Sequence, residues 1–166
     1  FVRRRLRSLE SQVVGLRYFN VYGPNESHKG KMASIVWQLY QQAQNDGRLK
    51  LFAGTGGYAD GEQRRDFIYV DDVVDVNMWF WKEHGSSGIY NCGTGSSQTF
   101  NDLANAVIAA SGRGEIEYIP FPKSLEGHYQ SFTEADITAL RKAGYDKSFL
   151  TVEEGVARYL KFNKRQ

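Results

Sequence analysis

The sequence predicts an α/β fold, and three observations carry that prediction. Short runs rich in β-branched and aromatic residues alternate with amphipathic stretches at helical spacing. Each apolar run ends in a polar or glycine-bearing turn, as at Asn20 to Pro24 and at Gly93-Thr94-Gly95. The first strand also lacks sheet neighbours of its own, so it is expected to pair with strands supplied earlier in a longer chain.

Residues 1–10 place Leu6 and Leu9 among arginines at helical spacing and read as the tail of an amphipathic helix. That helix opens without a capping residue, which is expected of a truncated chain. Residues 12–19 (QVVGLRYF) read as a buried strand ending in the polar turn Asn20-Val21-Tyr22-Gly23-Pro24. A polar stretch over 25–31 leads to a helix over about 32–45, stopped by Asp46-Gly47. Residues 49–52 form a short strand and 53–63 a glycine-rich loop.

A strand over 66–70 runs into Asp71 and Asp72, expected caps of a helix reaching about residue 83. Residues 89–92 are a short buried strand, and Thr99 or Asn101 caps a helix to about 110. A strand over 115–119 follows, then an ordered loop over 120–132. Thr133-Glu134-Ala135-Asp136 has the look of a capping sequence for a helix over 133–143, ended by Gly144. Residues 151–162 form a last amphipathic helix, with Val152, Val156, Tyr159 and Leu160 on one face.

The 166 residues suffice for one hydrophobic core, with 41% hydrophobic and 24% charged residues. Net charge is +2, too small to argue for nucleic acid, and Arg3, Arg4, Arg5 and Arg7 read as a solvated helix face. No apolar run approaches the length of a bilayer span, and no membrane partner is expected. A single cysteine, Cys92, rules out an internal disulfide framework and fits a reducing cytoplasm. His28, His84 and His128 are widely separated, and no metal site is expected.

Two segments carry chemistry. In RYFNVYGP (17–24), Asn20 stands at the carboxyl end of a strand, where open α/β sheets bind ligands. Its amide could meet a sugar hydroxyl and the Val21 backbone a cofactor, or Asn20 could simply serve the turn. In RDFIYVDDV (65–73), Arg65 is a planar donor suited to a diphosphate, or a partner for Asp66 or Asp71.

RYFNVYGP, RRDFIYVDDV and NCGTG, in that order, resemble the extended short-chain dehydrogenase/reductase superfamily of nucleotide-sugar epimerases and dehydratases. The segments HKGKMAS (28–34) and LEGHYQSFTEADITALRKAGYD (125–146) narrow the likeness to the heptose 6-epimerases that act on ADP-glycero-manno-heptose in lipopolysaccharide core synthesis. The resemblance covers residues 11–162. It implies the C-terminal part of an extended Rossmann-type enzyme with a small α/β substrate-binding domain. Residues 1–24 and about 64–95 would lie at the Rossmann-type sheet edge and the rest in the substrate domain, with the dinucleotide-binding half absent.

The resemblance also implies a mechanism: transient oxidation at C6 by NADP (NAD being the alternative), then return of hydride to the opposite face. Two acid/base groups are needed. One is the tyrosine of a Tyr-x-x-x-Lys motif, which this sequence lacks; the other matches Lys29, which would also meet the cofactor beside Val21. A lysine serves as a base near neutral pH when burial or neighbouring cations lower its pKa. Substrate contacts carry over to Asn20, to Phe52-Ala53-Gly54-Thr55 beside the adenosine diphosphate, and to Arg65 and Tyr129. Lys31 and Gln38 occupy substrate-binding positions where other members carry Ser and His. Cys92 stands where an aliphatic residue is usual and reads as a buried structural thiol.

Lys29 and Arg65 are therefore expected to converge on one cleft, in a cytoplasmic homo-oligomer, a pentamer by resemblance. These residues alone are expected to show no turnover. Two other functions fit the motifs: another nucleotide-sugar 4-epimerase or 4,6-dehydratase, and a non-catalytic nucleotide-sugar-binding module.

Overall fold

The computed structural model describes residues 10–83 and 87–163. The expected helix over 1–10 lies almost wholly outside them. β1 (Val14–Tyr18), expected to lack a neighbour in this chain, pairs in parallel with β6 (Gly88–Cys92), which returns beside it after the intervening helix. The predicted strand over 12–19 is interrupted at Phe19, whose amide still donates to the Cys92 carbonyl at 3.0 Å. At Asn20 the chain turns to Asp66 (3.1 Å) and continues as β2 (Asn20–Tyr22), parallel to β5 (Phe67–Tyr69). The expected polar turn at Asn20 is thus a short strand. β3 (Arg48–Phe52) pairs in parallel with β8 (Glu115–Ile119), and β4 (Arg64–Arg65) antiparallel with β7 (Gln98–Thr99). The predominance of parallel pairs agrees with the α/β expectation.

Among the described residues five α-helices pack on these strands: α1 (Ile35–Asn45), α2 (Val70–Lys82), α3 (Phe100–Ser111), the short α4 (Thr138–Lys142) and α5 (Val152–Asn163). The predicted helix from residue 32 starts three residues later, because Ser34 is its cap and accepts from the Trp37 amide. Residues Ser27–Met32 form a 3-10 turn instead. Asp71 and Asp72 are not caps. Tyr69 holds the N-cap position of α2, and the two acids fall in its first turn, where the macrodipole favours them. Thr99 does cap α3, in a reciprocal capping box with Asp102.

The helix expected over 133–143 shrinks to Thr138–Lys142. Its intended first turn is held extended by long-range bonds: Glu134 accepts from Ser97, and the Ala135 amide donates to Asp66. Tertiary partners outweighed local propensity.

Strand alternation divides the interior in two. Tyr22, Phe67 and Tyr69 enter a core with Val36, Leu39, Leu103, Val107, Val156 and Tyr159. Val21 and Ile68 face a second core with Val73, Val76, Phe80, Tyr90, Cys92, Leu140 and Tyr145. The β2–β5 pair is the wall shared by both.

Candidate substrate cleft

The carboxyl end of β2, the start of α1 and the end of β3 leave a cleft of about 430 Å³. Asn20, Val21, Gln38, Phe52, Arg65 and Tyr129 all line it. All six are positions expected from the sequence to bind substrate or cofactor. Arg65 is aimed there by the two-residue strand β4, in which successive side chains face opposite ways. Arg64 turns to Ser97, donating through Nε to its Oγ at 3.2 Å. Arg65 turns to the cleft and donates to the Arg64 carbonyl at 3.0 Å. It pairs with neither Asp66 nor Asp71. Its guanidinium lies 5.0 Å from the Tyr129 ring centre and 5.9 Å from that of Phe100, close enough for cation–π attraction.

Burial lowers the Arg65 pKa, yet a guanidinium begins so high that it stays charged. Burial also raises the Tyr129 phenol, with the arginine acting the other way, and raises the Tyr22 phenol strongly, the Asp72 carboxylate adding to it. Neither tyrosine serves as a base near neutral pH. Phe52, Phe121 and Tyr129 make an edge-to-face set with centroids 5.4, 6.2 and 5.2 Å apart. They form an apolar wall beside the charge.

Asn20 donates its amide nitrogen to the Asp66 carbonyl at 3.0 Å, which fixes the side chain and leaves its oxygen without a partner among the described residues. A second chamber of about 280 Å³ shares Asn20 and Arg65 and adds Tyr18, Phe19, Gln130 and Thr133. The Thr133 hydroxyl is buried there without a hydrogen-bond partner among the described residues. Beneath both runs Asp66, fully buried. One carboxylate oxygen accepts from the Thr94 amide and hydroxyl, and the other from the Gly95 and Ala135 amides.

Not every predicted residue reaches the cleft. Ala53, Gly54 and Thr55 follow β3 and lie beyond its lining, with the Gly54 amide donating to Asp60 at 2.7 Å. Lys29 and Lys31 are exposed on the 3-10 turn and do not line the cleft, so the expected convergence of Lys29 with Arg65 is not found here: the turn leads into the cleft rim at Ser34 but carries both lysines outward. Cys92 is fully buried. Its thiol is pushed up to about 12, chiefly by burial and further by Asp66 and Asp72, so it is no nucleophile. Phe100 was not foreseen, since as a helix residue after a capping threonine it gives no local sign that it will meet Arg65.

A cation, a fixed amide and aromatic walls suit a ligand that joins an anionic group to a flat ring and to hydroxyls. Among the described residues the lining offers binding, and no general base.

The family model described as the NAD dependent epimerase/dehydratase family matches residues 2–93. The chain is 56% identical over 160 residues to an ADP-L-glycero-D-manno-heptose-6-epimerase of Alkalilimnicola ehrlichii, covering 96% of this chain and 50% of that protein. It therefore spans about half the length of that curated relative. Among solved structures it is similar to the ADP-L-glycero-D-manno-heptose-6-epimerase of Helicobacter pylori, with a TM-score of 0.77 and 32% identity, covering 99% of this chain and 48% of that one. It is also similar to the UDP-glucose 4-epimerase of Thermus thermophilus in complex with NAD, with a TM-score of 0.75 and 26% identity, covering 98% and 50%.

Proposed function

Because this chain belongs to the NAD dependent epimerase/dehydratase family, we propose that it is the substrate-holding part of a cytoplasmic 6-epimerase acting on ADP-glycero-manno-heptose. The observation that carries the reading is Arg65, held between Tyr129 and Phe100 in a cleft that Asn20 and Phe52 also line. The 56% identity to a protein of that activity supports it.

In this reading Arg65 grips the diphosphate with its planar fork, and Phe52 and Tyr129 cover the adenosine end. Asn20 presents its unpartnered amide oxygen to a sugar hydroxyl. Lys29 holds and moves the proton of the hydroxyl at C6, one of the two acid/base roles that inversion through a ketone requires. NADP, or NAD, supplies reversible hydride transfer when bound. Of this chain, Val21 at the cleft edge and Lys29 would meet it. Among the described residues no glycine-rich strand-to-helix turn is present to hold its diphosphate, so the fit is to the reacting end alone. The product serves lipopolysaccharide core synthesis, and the intact enzyme is a homo-oligomer, pentameric in this reading.

Activity of the intact protein on ADP-glycero-manno-heptose with NADP tests this. Turnover there, its loss on Lys29→Met, and none from residues 1–166 alone are the expected results. Turnover by the 166 residues alone, or full activity without Lys29, would refute it. Lys31 and Gln38, which replace Ser and His of other members, favour a second reading in which the sugar differs. UDP-hexoses assayed in parallel distinguish the two.

A further inference from the structure

Glu26 is 4% exposed and has no ion-pair partner among the described residues. Among the described residues the one ion pair joins Lys147 to Asp75. A buried carboxylate without a counter-charge is costly unless neutral donors hold it. Glu26 has three such bonds. The Ser34 amide donates to Oε2 at 2.8 Å, the Ser34 hydroxyl to Oε1 at 2.6 Å, and the Tyr159 phenol of α5 to Oε1 at 3.0 Å. Burial, and then the carboxylate itself, drive the Tyr159 pKa far up, so the phenol remains a donor at every working pH.

These bonds close a loop. Glu26 and Ser34 are its two ends, and Lys29 and Gly30 are near its tip. The Glu26 carbonyl also accepts from the Lys29 amide at 3.0 Å, and the Gly30 carbonyl accepts from the Ala33 amide at 3.1 Å. Gln38 donates to the Ala33 carbonyl at 2.9 Å, steadying the far limb. Gly30 adopts φ 53, ψ −124, with open space where a Cβ would stand, so the requirement there is for backbone freedom and not for room. One residue thus grips the loop through both its side chain and its main chain, and anchors it to the last helix. The Lys29 ammonium has no partner among the described residues; the loop's hold is on its backbone.

We propose that Glu26 is a positioning residue: through Ser34 and Tyr159 it sets the height and direction from which Lys29 approaches the sugar. The inference rests on the reading of Lys29 as an acid/base group. A supporting residue of this kind is expected to act on the chemical step more than on binding.

The test uses the intact enzyme, with Glu26→Ala, Glu26→Gln and Tyr159→Phe each made with Lys29 present and on a Lys29→Met background. With Lys29 present, Glu26→Ala should lower kcat by roughly ten- to a hundredfold while KM stays within about threefold. It should also move the limb of the kcat–pH profile that Lys29→Met abolishes. Glu26→Gln keeps the shape and one acceptor oxygen, and Tyr159→Phe removes a single hydroxyl; both should show the same pattern more weakly, which guards against a folding defect in the alanine variant. On the Lys29→Met background none of the three should lower the residual rate further, because coupled residues are not additive. An equal loss on both backgrounds, or no loss where Lys29 is essential, overturns the positioning role. Full activity of Lys29→Met removes the reading of Lys29 itself, and the positioning role falls with it.

Discussion

The Arg65 guanidinium lies 5.0 Å from the centre of the Tyr129 ring, across the mouth of the cleft, with the Phe100 ring 5.9 Å away. Two aromatic rings and the Arg64 carbonyl fix the plane of the fork before any ligand arrives. A lysine in its place keeps the charge but loses the plane, the stacking and the two-pronged donor.

Arg65→Lys in the intact protein should therefore weaken binding of a nucleoside diphosphate sugar by about ten- to a hundredfold. Titration calorimetry against ADP-sugar measures it. Affinity unchanged within about twofold would place the diphosphate elsewhere.

Asp66 is where the cleft is joined to the segment behind it. Asn in its place offers one acceptor oxygen and turns an amide toward two backbone donors, those of Gly95 and Ala135. Leaving both buried and unmet should cost about 2–5 kcal/mol. Urea unfolding of Asp66→Asn measures that loss. The same change should loosen Asn20, whose amide and side chain both donate to the Asp66 carbonyl.

The α/β class and the longer strands and helices were readable because their cause is local periodicity, and the cap of α3 was narrowed to Thr99 or Asn101, of which the bond to the Asp102 amide selects Thr99. The short strands β2, β4 and β7 were not, because only partners far along the chain make them strands. Residues 133–137 misled for the same reason. Their capping pattern is sound, but Asp66 and Ser97 take up Ala135 and Glu134 from far along the chain. The cleft divides in the same way. Asn20 and Arg65 could be named from motifs, whereas Phe100 and the hold of Glu26 on the Lys29 loop exist only once distant elements meet.

Cys92 offers a test of the second core. Its thiol is raised from the usual 9.0 to about 12, mainly by burial. A group whose pKa rises on folding favours the native state fully below the unfolded value and loses that contribution as pH climbs through the folded one. Stability should thus decline from about pH 9 upward and keep falling toward 12. A disulfide reagent should not modify Cys92 in the native protein at pH 8 and should do so at once in urea. Fast labelling under native conditions would mean that this core opens locally.

Gly155 lies in the first half of α5, with Tyr22 packed against it so closely that a Cβ would run into the phenol oxygen and press on the Tyr69 Cβ. Tyr22 is 2% exposed and sits edge-to-face on Tyr69, centroids 5.6 Å apart. Its room to retreat is toward the cleft that it lines. Gly155→Ala would add about 1 kcal/mol of helix propensity, set against an overpacking cost of about 1–3 kcal/mol in a rigid core. The net should be destabilising, because the neighbours are ring and backbone-proximal atoms and not the end of a flexible chain. Tyr22 also lines the cleft beside Val21, so the displaced ring should narrow the cleft and weaken nucleotide-sugar binding as well. Truncating the obstacle discriminates between this and a general defect of α5. In a Tyr22→Phe background the oxygen is gone while the ring carbon 2.9 Å from the Cβ position remains, and Gly155→Ala should then cost clearly less in urea unfolding. An equal loss in both backgrounds would show that the small residue answers to something other than Tyr22.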